Sequence, residues 1–301
     1  MLGDILLPDV VLERRGHYLE SILPGNSDAL TANAIYFGNE AWAREYLGSC
    51  HRDEHFRRRW RAACGDWTDK VVIDLGCGPG NVFAALGGMP KLLIGVDVAA
   101  GSLELAAIEG YIAVLADAAH TPFRSQVADI VAINATLHHC EDMKAVLEEG
   151  ARLVKPGGLL ITDHDPQLTA WDYRGLARLL WNMRLWVYRA MGRGVHKTGS
   201  RQSWWLRTAI HHRPGDGVTR ELFEATLAPL GFEVRVHPHN HQAGARVLDG
   251  EAGPMQWKYR LGSLLSGRDP GAPSSALSLM CIARRTRAKN PAAGRSPGHC
   301  W

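Results

Sequence analysis

Along the middle of the chain, short apolar runs alternate with amphipathic ones. VVIDL from Val71, LLIGVDV from Leu92, IAVLAD from Ile112, ADIVAINA from Ala128 and GLLITDHD from Gly158 read as strands. Between them NVFAALGG, GSLELAAIEG and DMKAVLEEGARLV read as helices. Runs this continuously apolar suit strands buried on both faces, so the alternation predicts an α/β fold, a mostly parallel sheet with helices on both faces. Ahead of it, ANAIYFGNEAWAREYLG and HRDEHFRRRWRAAC space apolar residues among charges, which predicts a helical cap over 1–69 in front of a main domain over 70–286. Beyond Asp165 the pattern predicts a long helix from about Trp171 to Gly192, a loop, and a helix in TRELFEATLAPLG. A strand in GFEVRVH, a poorly patterned segment and a last strand in ALSLMCIAR follow. Residues 166–217 are expected to form an inserted lid, and the Pro-, Gly- and base-rich tail 287–301 to be disordered.

Composition narrows the class of partner. A net charge of +3 on 301 residues is too mild to call for a nucleic-acid partner. Six cysteines, Cys50, Cys64, Cys77, Cys140, Cys281 and Cys300, show no paired spacing, so neither a zinc site nor a disulfide framework is expected and a reducing cytoplasm fits best. Asp4 and Asp9 interrupt the apolar start, and no uncharged apolar run is long enough to span a bilayer, so no signal peptide or spanning helix is indicated.

The stretch VVIDLGCGPG carries the chemistry. A dinucleotide fingerprint needs a third glycine where Asn81 stands, and Gly80 falls one residue early. The phosphate-binding loop of nucleotide triphosphatases is excluded because no Gly-Lys-Ser/Thr follows. Asp74, two residues before Gly76, would repel a pyrophosphate but suits a cationic ligand such as S-adenosylmethionine, with its sulfonium and ammonium. Asp97 ends the next strand, where a carboxylate can accept both ribose hydroxyls; its alternative is a helix N-cap, for which Ser102 competes. Asp117 closes the third strand and could accept from an adenine amino group.

Taken together, VVIDLGCGPGN, IGVDVAAGSLELA, LADAAHTPF, DIVAINATLHH and LVKPGGLLITDHD resemble, in order and spacing, the class I S-adenosylmethionine-dependent methyltransferases. The resemblance covers about residues 70–165 and implies a Rossmann-like seven-stranded sheet whose last strand is antiparallel. It also implies that Asp74, Gly76, Gly78 and Gly80, with Cys77 and Asn81 in the same turn, line the methionine part of the cofactor. Asp97 and its neighbour Val98 then face the ribose, Asp117 and Ala118 the adenine, and Asn134 the floor beneath the sulfonium.

Acceptor groups belong at the carboxyl ends of the parallel strands. That filter selects His138 and His139 as candidate general bases, since imidazole titrates near neutrality, although in similar enzymes one such histidine only lines the cofactor. It also selects Asp163, His164 and Asp165 after the fifth strand, and His237, His239 and His241 after the sixth. If the sixth strand continued, the last three would share a face and could bind metal. Pro238 interrupts the ladder, so pocket polarity is their assigned role and no metal is expected. Trp204 and Trp205 either flank an acceptor or simply pack; Tyr36 and Phe37 either close over the methionine end, as in similar enzymes, or sit in the core. His211 and His212, in the turn HHRPGDG, are expected to face solvent.

Between Trp171 and Arg213, arginines and lysine face a single acid, Asp172. On a helical period Leu176, Leu179, Leu180, Met183 and Val187 share one face, and most of the arginines share the other with Trp181 and Tyr188. The readings are a lid over the substrate, a basic helix at 171–193 on an anionic membrane surface, or a solvated basic face on a core-packed helix. The expected function is methylation of a small-molecule acceptor, at O or N of a specialised metabolite. The alternatives are methylation of a lipid or quinone precursor at a membrane, or a binding or cyclising role with the same cofactor.

Overall fold

A computed structural model describes residues 2–21, 27–49, 52–192 and 198–287. Arg193, Lys197 and nearly all of the tail expected to be disordered lie outside the described residues.

The apolar runs pair as one mixed sheet. The strands are β1 (Glu13–Arg15), β2 (Tyr18–Glu20), β3 (Val71–Leu75), β4 (Leu92–Asp97) and β5 (Ile112–Leu115), then β6 (Ala128–Asn134), β7 (Val154–Pro166), β8 (Phe232–His239) and β9 (Ser278–Arg285). Their order across the sheet is β1-β2-β5-β4-β3-β6-β7-β9-β8, with β9 antiparallel to both neighbours. The antiparallel final strand agrees with the expected topology. The sheet is larger than the expected seven strands: among the described residues it has nine. The extra pair is β1 and β2, a short hairpin from the stretch expected to be a helical cap, which extends the sheet through parallel pairing of β2 with β5. Three-residue strands with charged residues leave too little apolar alternation to be seen in the sequence.

Alternation along the strands feeds two cores. Val71, Ile73 and Leu75, with Ile94, Val96, Val131 and Ile133, join one apolar cluster that also takes in Val146 and Leu147 of α6 (Met143–Leu153) and Phe223 of α9 (Arg220–Leu227). Val72, Leu93, Ile130 and Ala132 face the other way, onto Phe56 and Trp60 of α3 (Glu54–Cys64), Val82 of α4 (Asn81–Leu86) and Leu103 of α5 (Ala100–Ile108). Because side chains alternate with period two, a one-residue slip would exchange the faces, so burial on both sides fixes the register. Two N-terminal helices, α1 (Asp28–Phe37) and α2 (Glu40–Ser49), precede α3, Ser27 accepting from Leu30 N–H to start α1.

Past β7 the α-helices are α7 (Gly175–Ala190), α8 (Gly199–Thr208), α9 and α10 (Trp257–Leu265). The long helix is shorter than the pattern predicts, and α8 forms where a loop is expected, capped by the Thr198 side chain accepting from Arg201 N–H. β8 runs on through Pro238, which sits opposite Leu279. The strand lies at the sheet edge, where a residue without an N–H costs no ladder bond.

Candidate active site

The glycine turn, the ends of β4 to β6 and the helices α1 and α8 enclose a cavity of about 760 Å³, within the range of small-molecule sites. Gly76, Cys77, Gly78 and Asn81 line it, as do Asp97, Val98, Asp117, Ala118 and Asn134. The turn requires glycine for two different reasons. Gly76 has φ +71°, and a Cβ there would strike the Thr136 side chain. Gly78 has φ +52° and open space where its Cβ would stand, so a side chain would project into the cavity it lines.

Asp97 is fixed by its own surroundings. One carboxylate oxygen accepts Gly78 N–H at 2.8 Å and the other Ala99 N–H at 2.9 Å, which ties the glycine turn to the start of α5. Ser102 does not compete for this role; its hydroxyl donates to Phe37 O. Each oxygen of Asp97 keeps a second lone pair, so a vicinal diol could still be accepted. Asp117 accepts Ala119 N–H and pairs with His120.

Asp74 and Gly80 stand behind the lining. Asp74 is fully buried and accepts from the Tyr111 hydroxyl at 2.8 Å, while its other oxygen has no partner among the described residues. Burial pushes its carboxyl up to about 7, against the pull of the Tyr111 hydrogen bond. Gly80 begins α4 in the left-handed region, with Tyr111 close to where its Cβ would be.

His138 and His139 both line the cavity, their rings 4.1 Å apart. His138 Nδ1 lies 2.7 Å from Asp165 Oδ1, the same oxygen that accepts the backbone N–H of His138 at 3.0 Å. His139 Nδ1 lies 2.9 Å from the carbonyl of Thr208, which can only accept. Both rings therefore carry the proton on Nδ1 and leave Nε2 as the lone-pair nitrogen. Burial pushes both imidazoles down to about 3 and Asp165 up to about 7, so charge is disfavoured on either partner of the His138–Asp165 pair.

Asp163, His164 and Asp165 do not line the cavity together as expected. His164 has φ +64°, and the pairing of β7 with β9 shifts register between Thr162 and Asp165. This bulge turns the two acids to different partners. Asp165 goes to His138. Asp163 goes to the opposite side, accepting from Arg59 Nε at 3.0 Å, Trp60 Nε1 at 2.9 Å and His239 Nε2 at 2.7 Å. Burial works against the Asp163 charge, but Arg59, His239 and His164 hold it well below the usual carboxylate range. Arg59 is itself fully buried and also donates to His241 O and Ala243 O. His239 accepts His241 N–H on Nδ1, and the His241 ring stacks on His164 at 4.5 Å. These residues fasten α3 to the sheet and are not part of the pocket wall. No group of three or more His, Cys, Asp or Glu among the described residues is arranged to hold a metal ion.

Tyr36 and Phe37 line the cavity, Phe37 meeting His139 edge-on at 5.3 Å. Of the tryptophan pair, Trp205 faces the cavity and Trp204 does not; Trp204 instead lies under Arg207, 4.9 Å away. A single step along α8 turns a side chain by about 100°, which here carries Trp204 off the wall that Trp205 joins. His212 is a wall residue that composition alone assigned to solvent: it stacks on Trp171 at 4.3 Å and meets His138 edge-on at 5.7 Å. His211 has a different task. Its backbone N–H donates to His138 O and its ring contacts Cys140 O and Asp216, clamping the turn that carries both histidines. Asn33, also on the wall, donates to His139 O at 3.3 Å; no motif marked it.

Residues 73–162 match the methyltransferase domain family. The chain is 35% identical over 98 residues to the malonyl-acyl-carrier-protein O-methyltransferase of Yersinia pestis, covering 31% of this chain and 36% of that protein. It is 31% identical over 113 residues to the demethylmenaquinone methyltransferase of Mycolicibacterium paratuberculosis, covering 38% of this chain and 49% of that protein. The chain thus spans about a third to a half of the length of these relatives. A solved structure, that of the 4+2 cyclase SpnF, shares the fold at TM-score 0.51 and 14% identity, over 88% of this chain and 98% of that one. Residues 73–162 accordingly form a class I S-adenosylmethionine-dependent methyltransferase domain.

Proposed function

We propose that the chain transfers a methyl group from S-adenosylmethionine to a hydroxyl or amine of a small-molecule acceptor, a specialised metabolite. One observation carries this reading: a single cavity is walled by the glycine turn with Asp97 and by His138 and His139. The residues fit the donor. Gly78 leaves room for close approach, Asp97 has lone pairs to offer a diol, and Asp117 on the same wall is available to an adenine amino group.

When bound, the donor supplies a methyl carbon already activated by its sulfonium, so the protein's work is alignment, exclusion of water and removal of one proton. Asp97 and the turn hold the donor. Phe37, Trp205 and His212 give the acceptor an aromatic wall. His138 Nε2 accepts the proton that the acceptor's O–H or N–H gives up as its new bond to carbon forms. Asp165 keeps the ring in the right tautomer and meets the imidazolium with a carboxylate, which offsets the burial penalty on that charge.

A second reading, methylation of a lipid or quinone precursor, is favoured by the apolar residues that α7 leaves exposed. The reading from another class is a cofactor-binding protein that transfers nothing. Calorimetry with S-adenosylmethionine, followed by measurement of S-adenosylhomocysteine release over a panel of phenol, amine and quinol acceptors, separates the three. Tight donor binding without release for any acceptor class would favour the non-transferring reading, and no donor binding would overturn all three.

A further inference from the structure

α7 is oriented against the usual rule for a surface helix. Its inner face is Ala177, Trp181 and Arg184, with Trp181 stacked on Trp171 at 5.1 Å and Arg184 over the Trp181 ring at 3.5 Å. Its large aliphatic residues point outward. Leu176 is 56% exposed, Leu180 49%, Met183 47% and Trp186 64%, all on one stripe at helical spacing. α10, which packs beside α7, repeats the arrangement: Gly262 lies against Tyr173, while Trp257 at 77% and Leu264 at 55% face out.

We propose that α7 and α10 together form a docking surface for a lipid bilayer bearing anionic headgroups. Exposed apolar stripes on two helices that pack side by side are uncommon on a protein that meets only water. Arg174, Arg178 and Arg189 on α7 and Lys258 and Arg260 on α10 are exposed as well, with Asp172 the one acid in the sequence from Trp171 to Arg213. Outward tryptophans beside cations are the pattern of helices that lie in a membrane interface, and no helix among the described residues is long and apolar enough to cross one. The charge also decides between occupants. In a two-fold contact between copies the same cations would face each other, whereas an anionic surface pairs with them. The docking itself is independent of methyl transfer; only its consequence, an amphiphilic acceptor drawn from the membrane, rests on the proposed function.

The test is co-sedimentation of the full chain, without donor or acceptor, with vesicles of phosphatidylcholine alone or mixed with phosphatidylglycerol, at low and high salt. Binding to the anionic vesicles is expected, weakened by salt. The double substitution Trp186→Ser and Trp257→Ser should reduce it at least about ten-fold, and Arg178→Glu with Lys258→Glu comparably. Met89→Gln, at an exposed apolar residue elsewhere, should leave it unchanged. All of these positions are exposed, and circular dichroism checks that each variant is folded. Absence of binding to anionic vesicles at low salt would overturn the proposal, as would equal binding to neutral ones. Light scattering showing a dimer that Trp186→Ser dissociates would assign the face to a second copy instead. Because the assay needs no turnover, its failure would leave methyl transfer standing, and a failure of transfer would leave it standing.

Discussion

Asp165 Oδ1 receives both the backbone N–H and the Nδ1–H of His138, so one oxygen sets the position and the tautomer of the ring. The carboxylate is a positioning group for the histidine, and two bonds to one atom leave the imidazole little freedom to turn. Asp165→Ala is expected to lower kcat by about 10- to 100-fold while the affinity for S-adenosylmethionine changes by less than about two-fold. Asp165→Asn, whose amide oxygen can still accept, should lose less. Because Asp165 is pushed up to about 7 and must be a carboxylate to meet the imidazolium, the acid limb of the rate profile should lie near 7, well above the value of about 3 for His138. Steady-state kinetics beside calorimetry decides the matter: equal losses in turnover and donor affinity would make His138 a lining residue only.

Asp97 joins the proposed donor site to the fold through Gly78 and Ala99. Replacing it with alanine removes the acceptor of two backbone bonds and the proposed partner for the ribose together. The donor Kd should rise by about 30-fold or more, reckoned at roughly 1 kcal/mol for each of two bonds. Unchanged affinity by calorimetry would mean the ribose lies elsewhere.

Trp205 and Trp204 are neighbours in sequence with opposite fates, one on the cavity wall and one under Arg207. Trp205→Ala should raise the acceptor KM by about ten-fold through lost aromatic contact, and Trp204→Ala by less than about two-fold. The comparison needs only an acceptor found in the panel above. Equal effects would place the acceptor outside the wall formed by α8.

Asp74 tests the linkage between burial and pH. Its folded value of about 7 lies above the unfolded one near 3.8, so the protonated side chain is favoured in the fold. Stability from this group is fully present below about pH 4 and is lost as pH rises through 7. Asp74→Asn, which cannot ionise, should therefore gain on the native protein as pH rises, by about 5 °C in melting temperature at pH 8 relative to pH 5. Thermal melts across that window check the sign; a gain that shrinks toward alkaline pH would show Asp74 to be stabilised as the carboxylate.

Much of the cavity could be read from the chain because its parts are local. Gly76, Gly78 and Asn81 lie within one turn, and Asp97, Asp117 and Asn134 each sit at the end of an apolar run, where a parallel sheet must place its ligands. The acceptor side was less legible. Asp163 and Asp165 look alike in GLLITDHD, and only the left-handed backbone at His164 separates them, sending one to Arg59 and the other to His138. His212 looked like a solvent-facing turn residue because nothing near it in sequence reveals Trp171 stacked against it.

By itself the sequence determined the sheet and the residues of the glycine turn, since period and spacing act over a few residues and register follows from burial on both faces. Tertiary structure decided what distant segments do to one another: that Asp165 orients His138, that Asp163 anchors α3, and that α7 turns its leucines outward. The reason for the last is physical. A helical wheel fixes which residues share a face, but which face is buried depends on the partner, and the aromatic platform of Trp171 and Tyr173 takes Trp181 and leaves the aliphatic stripe uncovered.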